Sequence, residues 1–176
     1  MHIKLNNIYI FKMKKFVLSV IALCSFLLVT SRLQAQDYKT AVGLKFGGYE
    51  NGISGKFFLD EGTAIEGLVG FRSHGVVFSG LYELHQSAFN TAGLKFYYGF
   101  GAHLGSVGSG VYKRFGGDDK VYNDSHILLG ADGVLGLEYK IDQAPVAISL
   151  DLNPRVELAT GPFFDIAPGL GIKYTF

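Results

Sequence analysis

The amino-acid sequence predicts an all-β protein, an eight-stranded antiparallel up-and-down transmembrane β-barrel. Three observations predict this fold. Apolar and polar residues alternate through eight segments, as in strands with one apolar face. All 24 glycines follow residue 42; an interior glycine costs a helix about 1 kcal/mol relative to alanine, whereas barrel strands use glycine at bends. The last segment alternates strictly and carries an aromatic residue, Phe176, at its end.

The first 35 residues have the organisation of a secretory signal peptide. A short basic stretch at 13–15 precedes an apolar run at 16–30. Leu33-Gln34-Ala35 follows, and its last, small residue marks the expected cleavage site. This order is typical of a signal peptide, and the run is short for a spanning helix. We therefore expect a signal peptide at 1–35 and a barrel domain at 36–176, with Met13 as an alternative start. A retained N-terminal anchor is the competing interpretation.

The composition of the predicted mature chain excludes some classes of protein. Five of the 16 Lys and Arg residues and none of the 15 Asp and Glu residues precede residue 36, which leaves 36–176 with a net charge of −4. A basic patch for nucleic acid is not expected from this balance. The single cysteine, Cys24, lies within the apolar run at 16–30, so no disulfide is expected in the barrel.

The eight predicted strands differ in how clearly they are marked. The segment 94–104 keeps one phase for 11 residues, the length that crosses a bilayer at a tilt. Asn51-Gly52 is a strong hairpin signal. Pro168 cannot donate to a ladder and is expected to leave the last strand short, with Pro154 near the same rim. The predicted strands cover about 39–48, 53–59, 63–72, 76–84, 94–104, 126–140, 146–155 and 169–176.

The charged residues of these strands mostly share one phase, opposite the large apolar residues. A Lys or Arg that faces lipid near the midplane costs about 2–4 kcal/mol, so the charged face belongs inside. Eight strands enclose an interior that side chains fill, and charges of both signs in that space must be paired. We therefore predict a plugged lumen. Its charge network comprises Glu66, Arg72, Glu83, Lys95, Asp132, Glu138, Asp151, Arg155 and Lys173.

Connection lengths predict the orientation of the barrel. With an even strand number both termini lie on one side, where the connections near 60–62, 85–92 and 142–145 are short. The longest connection, 105–125, is on the other side, as expected for the outer surface. A girdle of aromatic residues is expected near the periplasmic rim. Its predicted members are Tyr38, Tyr82, Phe96, Tyr139, Tyr174 and Phe176.

The final segment resembles the C-terminal signature that barrel-assembly machinery recognises in its clients, through Leu170, Ile172, Tyr174 and Phe176. With the segments 93–99 and 135–139, the chain resembles the small eight-stranded outer-membrane β-barrel domain proteins of double-membraned bacteria. The resemblance covers 36–176. It implies a location in the bacterial outer membrane, with membrane lipid and lipopolysaccharide, and the secretion and barrel-assembly machinery, as partners. It implies no particular reaction.

Motifs that carry chemistry are weak in this sequence. The glycines at 99–104 lie in a strand rather than at a strand-to-helix turn, so they do not predict a dinucleotide site. Four histidines, at 74, 85, 103 and 126, fall in separate segments. An acidic cluster at 118–124 has oxygen ligands suited to Ca²⁺ but not the spacing of a calcium loop. We expect no metal site, no cofactor and no catalytic residue.

Four functions remain open. A structural or surface-interaction barrel is favoured; its outer-loop contact patch would comprise Tyr112, Lys113, Arg114 and Phe115. A narrow, porin-like pore for small solutes is the second. A lipid-A-modifying enzyme would use Ser73 and His74, but adjacent strand residues point to opposite faces. A soluble lipid-binding barrel, the fourth, requires the apolar face inside and the charges outside.

Overall fold

The computed structural model of the protein describes residues 38–72, 74–115, 117–159 and 162–176. The predicted signal peptide at 1–35, with Met13 and the cleavage site at Ala35, lies outside these residues. Within the described part of the chain, no helix is long and apolar enough to cross a membrane.

Ten β-strands make up the described secondary structure. Eight of them are long, between 8 and 15 residues. The other two are three-residue strands within the connection after the fifth strand. The strands are β1 (Thr40–Gly47), β2 (Asn51–Phe58), β3 (Thr63–Arg72), β4 (Gly75–Ser87), β5 (Leu94–Val107), β6 (Gly110–Tyr112), β7 (Lys120–Tyr122), β8 (His126–Lys140), β9 (Val146–Glu157) and β10 (Phe163–Thr175).

The eight long strands form a closed antiparallel barrel, in the order β1-β10-β9-β8-β5-β4-β3-β2. The first and last strands close it: Leu44 pairs with Ile172 and Phe46 with Leu170. The predicted eight-stranded up-and-down barrel is therefore confirmed. The short strands β6 and β7 pair only with each other among the described strands, as a hairpin within the longest loop.

Most strand bounds differ from prediction by a few residues, and the largest difference is at the start of the last strand. β10 begins at Phe163 and runs through Pro168, which pairs with Leu152 and whose carbonyl accepts a hydrogen bond from Gly48. The expectation that Pro168 would shorten the last strand is wrong, because this proline still supplies an acceptor. At Pro154 the β8–β9 pairing is interrupted between two otherwise continuous runs, as expected where a residue has no N–H to donate.

The barrel wall separates an apolar exterior from a polar interior. Large apolar side chains face outward, for example Phe78 at 58% exposure and Phe100 at 69%. Tyr38, predicted for the aromatic girdle at the periplasmic rim, is instead buried inside the barrel and donates a hydrogen bond to Glu138. The other predicted girdle residues, apart from half-buried Phe96, are exposed: Tyr82, Tyr139, Tyr174 and Phe176.

Two names distinguish the ends of the barrel. The terminal end is where β1 begins beside the end of β10, at the pair Ala41–Thr175. The loop end is opposite and carries the connection between β5 and β8. A small apolar cluster closes each end: Tyr38, Ala41, Phe58, Ala64 and Ala147 at the terminal end, and Val77, Val107, Tyr112, Tyr122 and Leu128 at the loop end.

Candidate functional site

The interior of the barrel is the candidate functional site, because it concentrates the charged residues of the chain. All nine residues of the predicted lumen network face this interior. Eight are buried, and the side chain of Arg155 is 11% exposed. They are contributed by six of the eight barrel strands, β3, β4, β5, β8, β9 and β10.

In the half of the lumen nearer the terminal end, one lysine forms ion pairs with three carboxylates. The Nζ atom of Lys56 lies 3.2 Å from Glu66, 2.8 Å from Glu83 and 3.0 Å from Glu138. Lys173 approaches Glu66 from the opposite wall, at 2.8 Å. We call these five residues the terminal network. Lys56 is fully buried, so its charge depends entirely on these partners.

Aromatic residues surround the terminal network. The ring of Tyr97 lies 4.4 Å from the Lys56 ammonium and stacks on His85 at 5.0 Å. Its hydroxyl donates to Asp151 at 2.6 Å. Tyr97 pairs across the ladder with Gly136, where a Cβ would meet the tyrosine ring at 2.6 Å. Glycine at this position therefore gives the ring room to turn into the lumen.

Two further lysines extend the charge network. Lys45 of β1 forms an ion pair with Asp151 at 3.2 Å, which links β1 to β9. Lys95 pairs across the β5–β8 ladder with Glu138, and its ammonium lies 5.3 Å from the ring of Phe58. The lumen is therefore filled from the apolar cluster at the terminal end to the middle of β9.

A second group of charges occupies the loop half. Arg155 donates to Glu50 at 3.0 Å and, through Nε, to Asp132 at 2.9 Å. His103 lies between two carboxylates, with Nδ1 2.8 Å from Asp132 and Nε2 2.9 Å from Glu157. Both ring nitrogens donate at once only in the imidazolium form. We call these five residues the loop-end network.

The longest loop folds back over this end. Arg72 forms an ion pair with Asp165 at 3.4 Å, and its guanidinium lies 3.9 Å from the ring of Tyr112. Tyr112 is fully buried. Burial raises the pKa of its hydroxyl to about 12, because the ionised form is poorly solvated there.

The predicted outer-loop contact patch does not form one exposed surface. Tyr112 points into the barrel mouth, and Arg114 is half-buried, donating to the Phe164 carbonyl at 2.6 Å. Lys113 and Phe115 are exposed. Tyr112 is therefore not available for outside contacts, because period-two alternation in β6 turns it away from its exposed neighbour Val111.

Several lumen residues were not predicted. Lys45 and Lys56 alternate with outward apolar residues, so the same period-two pattern would have placed them inside. Glu157 and Asp165 fall between the predicted strands 146–155 and 169–176, whereas the structure places them in β9 and β10. The two carboxylate partners of His103 lie 29 and 54 residues away along the chain, so the sequence does not predict them.

The sequence also contains candidate metal and enzyme residues. Their His, Cys, Asp and Glu side chains form no group of three that could hold a metal ion. Asp118, Asp119 and Asp124, from the candidate calcium cluster, are exposed. Ser73 lies outside the described residues. The interior cavity at the loop half has a volume of about 40 Å³, room for only a few water molecules.

The residues of the predicted assembly signal lie on the outer face. Their exposed fractions run from 41% at Leu170 to 69% at Phe176. The rings of Tyr174 and Phe176 pack edge to face, 4.9 Å apart. They form an apolar stripe on the strand that closes the barrel, with Leu170 and Ile172.

Comparison with known proteins identifies the fold. The chain is similar to the crystal structure of the N-terminal β-barrel domain of Pseudomonas aeruginosa OprF. The TM-score is 0.61 with 18% sequence identity, over 81% of this chain and 100% of that chain. At this identity the similarity concerns the fold alone. No protein-family profile and no curated protein match the sequence.

Proposed function

We propose that this chain is an integral barrel of the bacterial outer membrane, with a structural or surface-interaction role and no catalytic residue. The single observation that carries this proposal is the division of the wall into an apolar exterior and an ion-paired, filled interior. Only a barrel surrounded by lipid gains from an apolar outer face. The similarity in fold to the N-terminal β-barrel domain of OprF supports the closed-barrel architecture on which the proposal rests.

The orientation follows from the loops. In outer-membrane barrels the short turns face the periplasm and the long loops face outward. The terminal end, with its short turns, is then periplasmic, and the loop end faces the surface. Outer-membrane lipid and lipopolysaccharide would surround the wall, and the outward stripe of β10 would be read by barrel-assembly machinery during insertion.

Two alternatives fit the interior less well. A soluble lipid-binding barrel would need an apolar lumen, whereas this lumen holds Lys56 and its three carboxylates. A pore for small solutes would need a continuous path, whereas ion pairs fill both halves and leave a cavity of about 40 Å³. A filled lumen favours a structural role over conduction.

The test of the proposal is a heat-modifiability gel on the outer-membrane fraction. A closed barrel resists detergent until boiled, so unboiled and boiled samples should migrate differently. Recovery in the soluble periplasm, with no shift, would contradict the proposal. Conductance across a planar bilayer then separates the structural role from the pore. Steady single-channel current from the purified barrel would favour the pore.

A further inference from the structure

The connection between β5 and β8 crosses the mouth of the barrel. β5 lies opposite β1 in the closed order of strands, yet residues of this connection contact the opposite wall. The ring of Phe115 packs on Tyr49, in the turn after β1, at 4.7 Å. Arg114 donates to the carbonyl of Phe164 in β10 at 2.6 Å. The connection therefore spans the mouth instead of extending away from it.

The part that spans the mouth has two distinct faces. We call residues 110–115 and 120–122 the lid. On its lower face Tyr112 is fully buried against Tyr122 and Phe163, with ring centroids 6.0 and 5.9 Å apart. On its upper face Val111 and Val121 pair with each other and are 50% and 70% exposed. The aromatic face therefore closes the mouth.

The lid is joined to the wall by side-chain contacts, since β6 and β7 belong to their own two-stranded sheet rather than to the barrel ladder. Arg114 and Lys120 lie over the ring of Phe163, and Tyr112 packs on the same ring.

The carboxylate of Asp165 contacts both the lid and the wall. It accepts from the backbone N–H of Phe115 at 3.0 Å and forms an ion pair with Arg72. Arg72 in turn donates to the carbonyl of Lys113. Removing the charge of Asp165 thus weakens both sides of the attachment at once. A segment outside the barrel ladder opens at lower free energy than the ladder-paired strands of the wall.

A small cavity with several charged side chains in its lining adjoins the residues that attach the lid. Its volume is about 40 Å³, and Arg72 and Asp165 belong to its lining together with Lys45, Glu50, Asn153 and Arg155. Arg72 and Asp165 therefore both contact the lid and line the cavity. A change at this attachment would alter access to the polar interior without breaking the barrel wall.

We propose that the lid is a releasable cover, latched by Asp165, and that its release opens the polar cavity at the loop half to small hydrophilic solutes. The terminal network below remains closed, so release creates a vestibule rather than a channel. This inference goes beyond the proposed structural role and does not depend on where the barrel resides.

A reporter cysteine tests the proposal. Ala167 lines the cavity, and Ala167→Cys in a Cys24→Ser background is the only thiol in the chain. The rate of labelling by a small, membrane-impermeant methanethiosulfonate is measured on the whole detergent-solubilised barrel. We expect slow labelling in this parent, and about tenfold faster labelling after Asp165→Asn, a change of about 1.4 kcal/mol in lid closure. Phe115→Ala, which removes the ring on Tyr49, should act in the same direction.

The control is Phe89→Ala, at an aromatic residue that is 76% exposed in a turn of the terminal end. It should leave the labelling rate unchanged. Heat-modifiable migration confirms that each variant is a closed barrel. Equal rates in the parent, Asp165→Asn and Phe115→Ala would overturn the proposal, whether fast or slow. Since Phe115→Ala leaves the lumen charges intact, it decides the question even if Asp165→Asn does not fold.

Discussion

The two halves of the lumen hold their charges in different ways. In the terminal network a fully buried ammonium, that of Lys56, is shared among three carboxylates. In the loop-end network Arg155 and His103 each bridge two carboxylates, and the side chains of Arg155 and Glu50 are 11% and 10% exposed. A cavity adjoins this second network, and the long loop contacts two residues of its lining, Arg72 and Asp165.

This difference implies that the ion pairs of the terminal half are fixed, whereas those of the loop half can rearrange. Where one cation serves three anions out of contact with water, no partner can leave without stranding a buried charge. Where donors that bridge two carboxylates lie beside a cavity with room for a few waters, water can solvate a group that loses its partner. The terminal half is therefore the structural part of the lumen, and the loop half is the part that can change.

The largest expected effect is that of Lys56→Met. The substitution leaves Glu66, Glu83 and Glu138 without their common partner, and removing one member of a buried pair costs about 3–5 kcal/mol in free energy of unfolding. Urea unfolding of the barrel in lipid vesicles measures the loss. Lys39→Met, at an exposed lysine, is the matched control and should change stability by less than about 1 kcal/mol. Similar losses in the two variants would contradict the plug.

A smaller effect is expected at the loop half. Arg155→Met leaves Glu50 and Asp132 short of a donor, but beside a cavity that admits water. The expected loss is about 1–3 kcal/mol, measured by the same urea unfolding. If Arg155→Met destabilised the barrel as much as Lys56→Met, the distinction between the two halves would be wrong.

Two buried tyrosines, one in each half of the lumen, differ in whether their hydroxyl has a hydrogen-bond partner. Tyr97, in the terminal half, donates to Asp151 at 2.6 Å, whereas the hydroxyl of Tyr112 has no hydrogen-bond partner among the described residues. Tyr97→Phe should cost about 1.5–3 kcal/mol, the range for a hydrogen bond to a charged group. Tyr112→Phe should be neutral or slightly stabilising. Equal losses in unfolding free energy would show that hydroxyl partners do not distinguish the halves.

Much of the wall was predictable because a period of two reports directly which face a side chain occupies. The strand predicted at 126–140 has the bounds of β8. The strand ends near Pro154 and Pro168 were not predictable from local rules. A proline removes a donor, but whether that donor was needed depends on the neighbouring strand, which the sequence does not reveal.

The partners within the lumen were also beyond the sequence. Alternation places a charge inside, but the stagger between strands decides which charges meet. Glu157 reaches His103 across 54 residues of chain, and Lys56 reaches Glu138 across 82. The lid was missed for another reason: β6 and β7 have only three residues each, too few for alternation to stand out within a polar loop.

The smallest expected effect is a titration that reports on the lid itself. Because burial raises the pKa of Tyr112 to about 12, from a usual value of about 10, the neutral hydroxyl favours the folded, closed lid. This stabilisation is fully present below about pH 10 and is lost as the pH rises through 12.

The titration is followed as the difference in tyrosinate absorbance between the parent and Tyr112→Phe, and its midpoint is the pKa of Tyr112. In the parent it should lie near 12, and Asp165→Asn should move it toward 10 by exposing the ring. A midpoint of 10 in the parent would mean that Tyr112 is already solvated, and that the loop half has no closed cover.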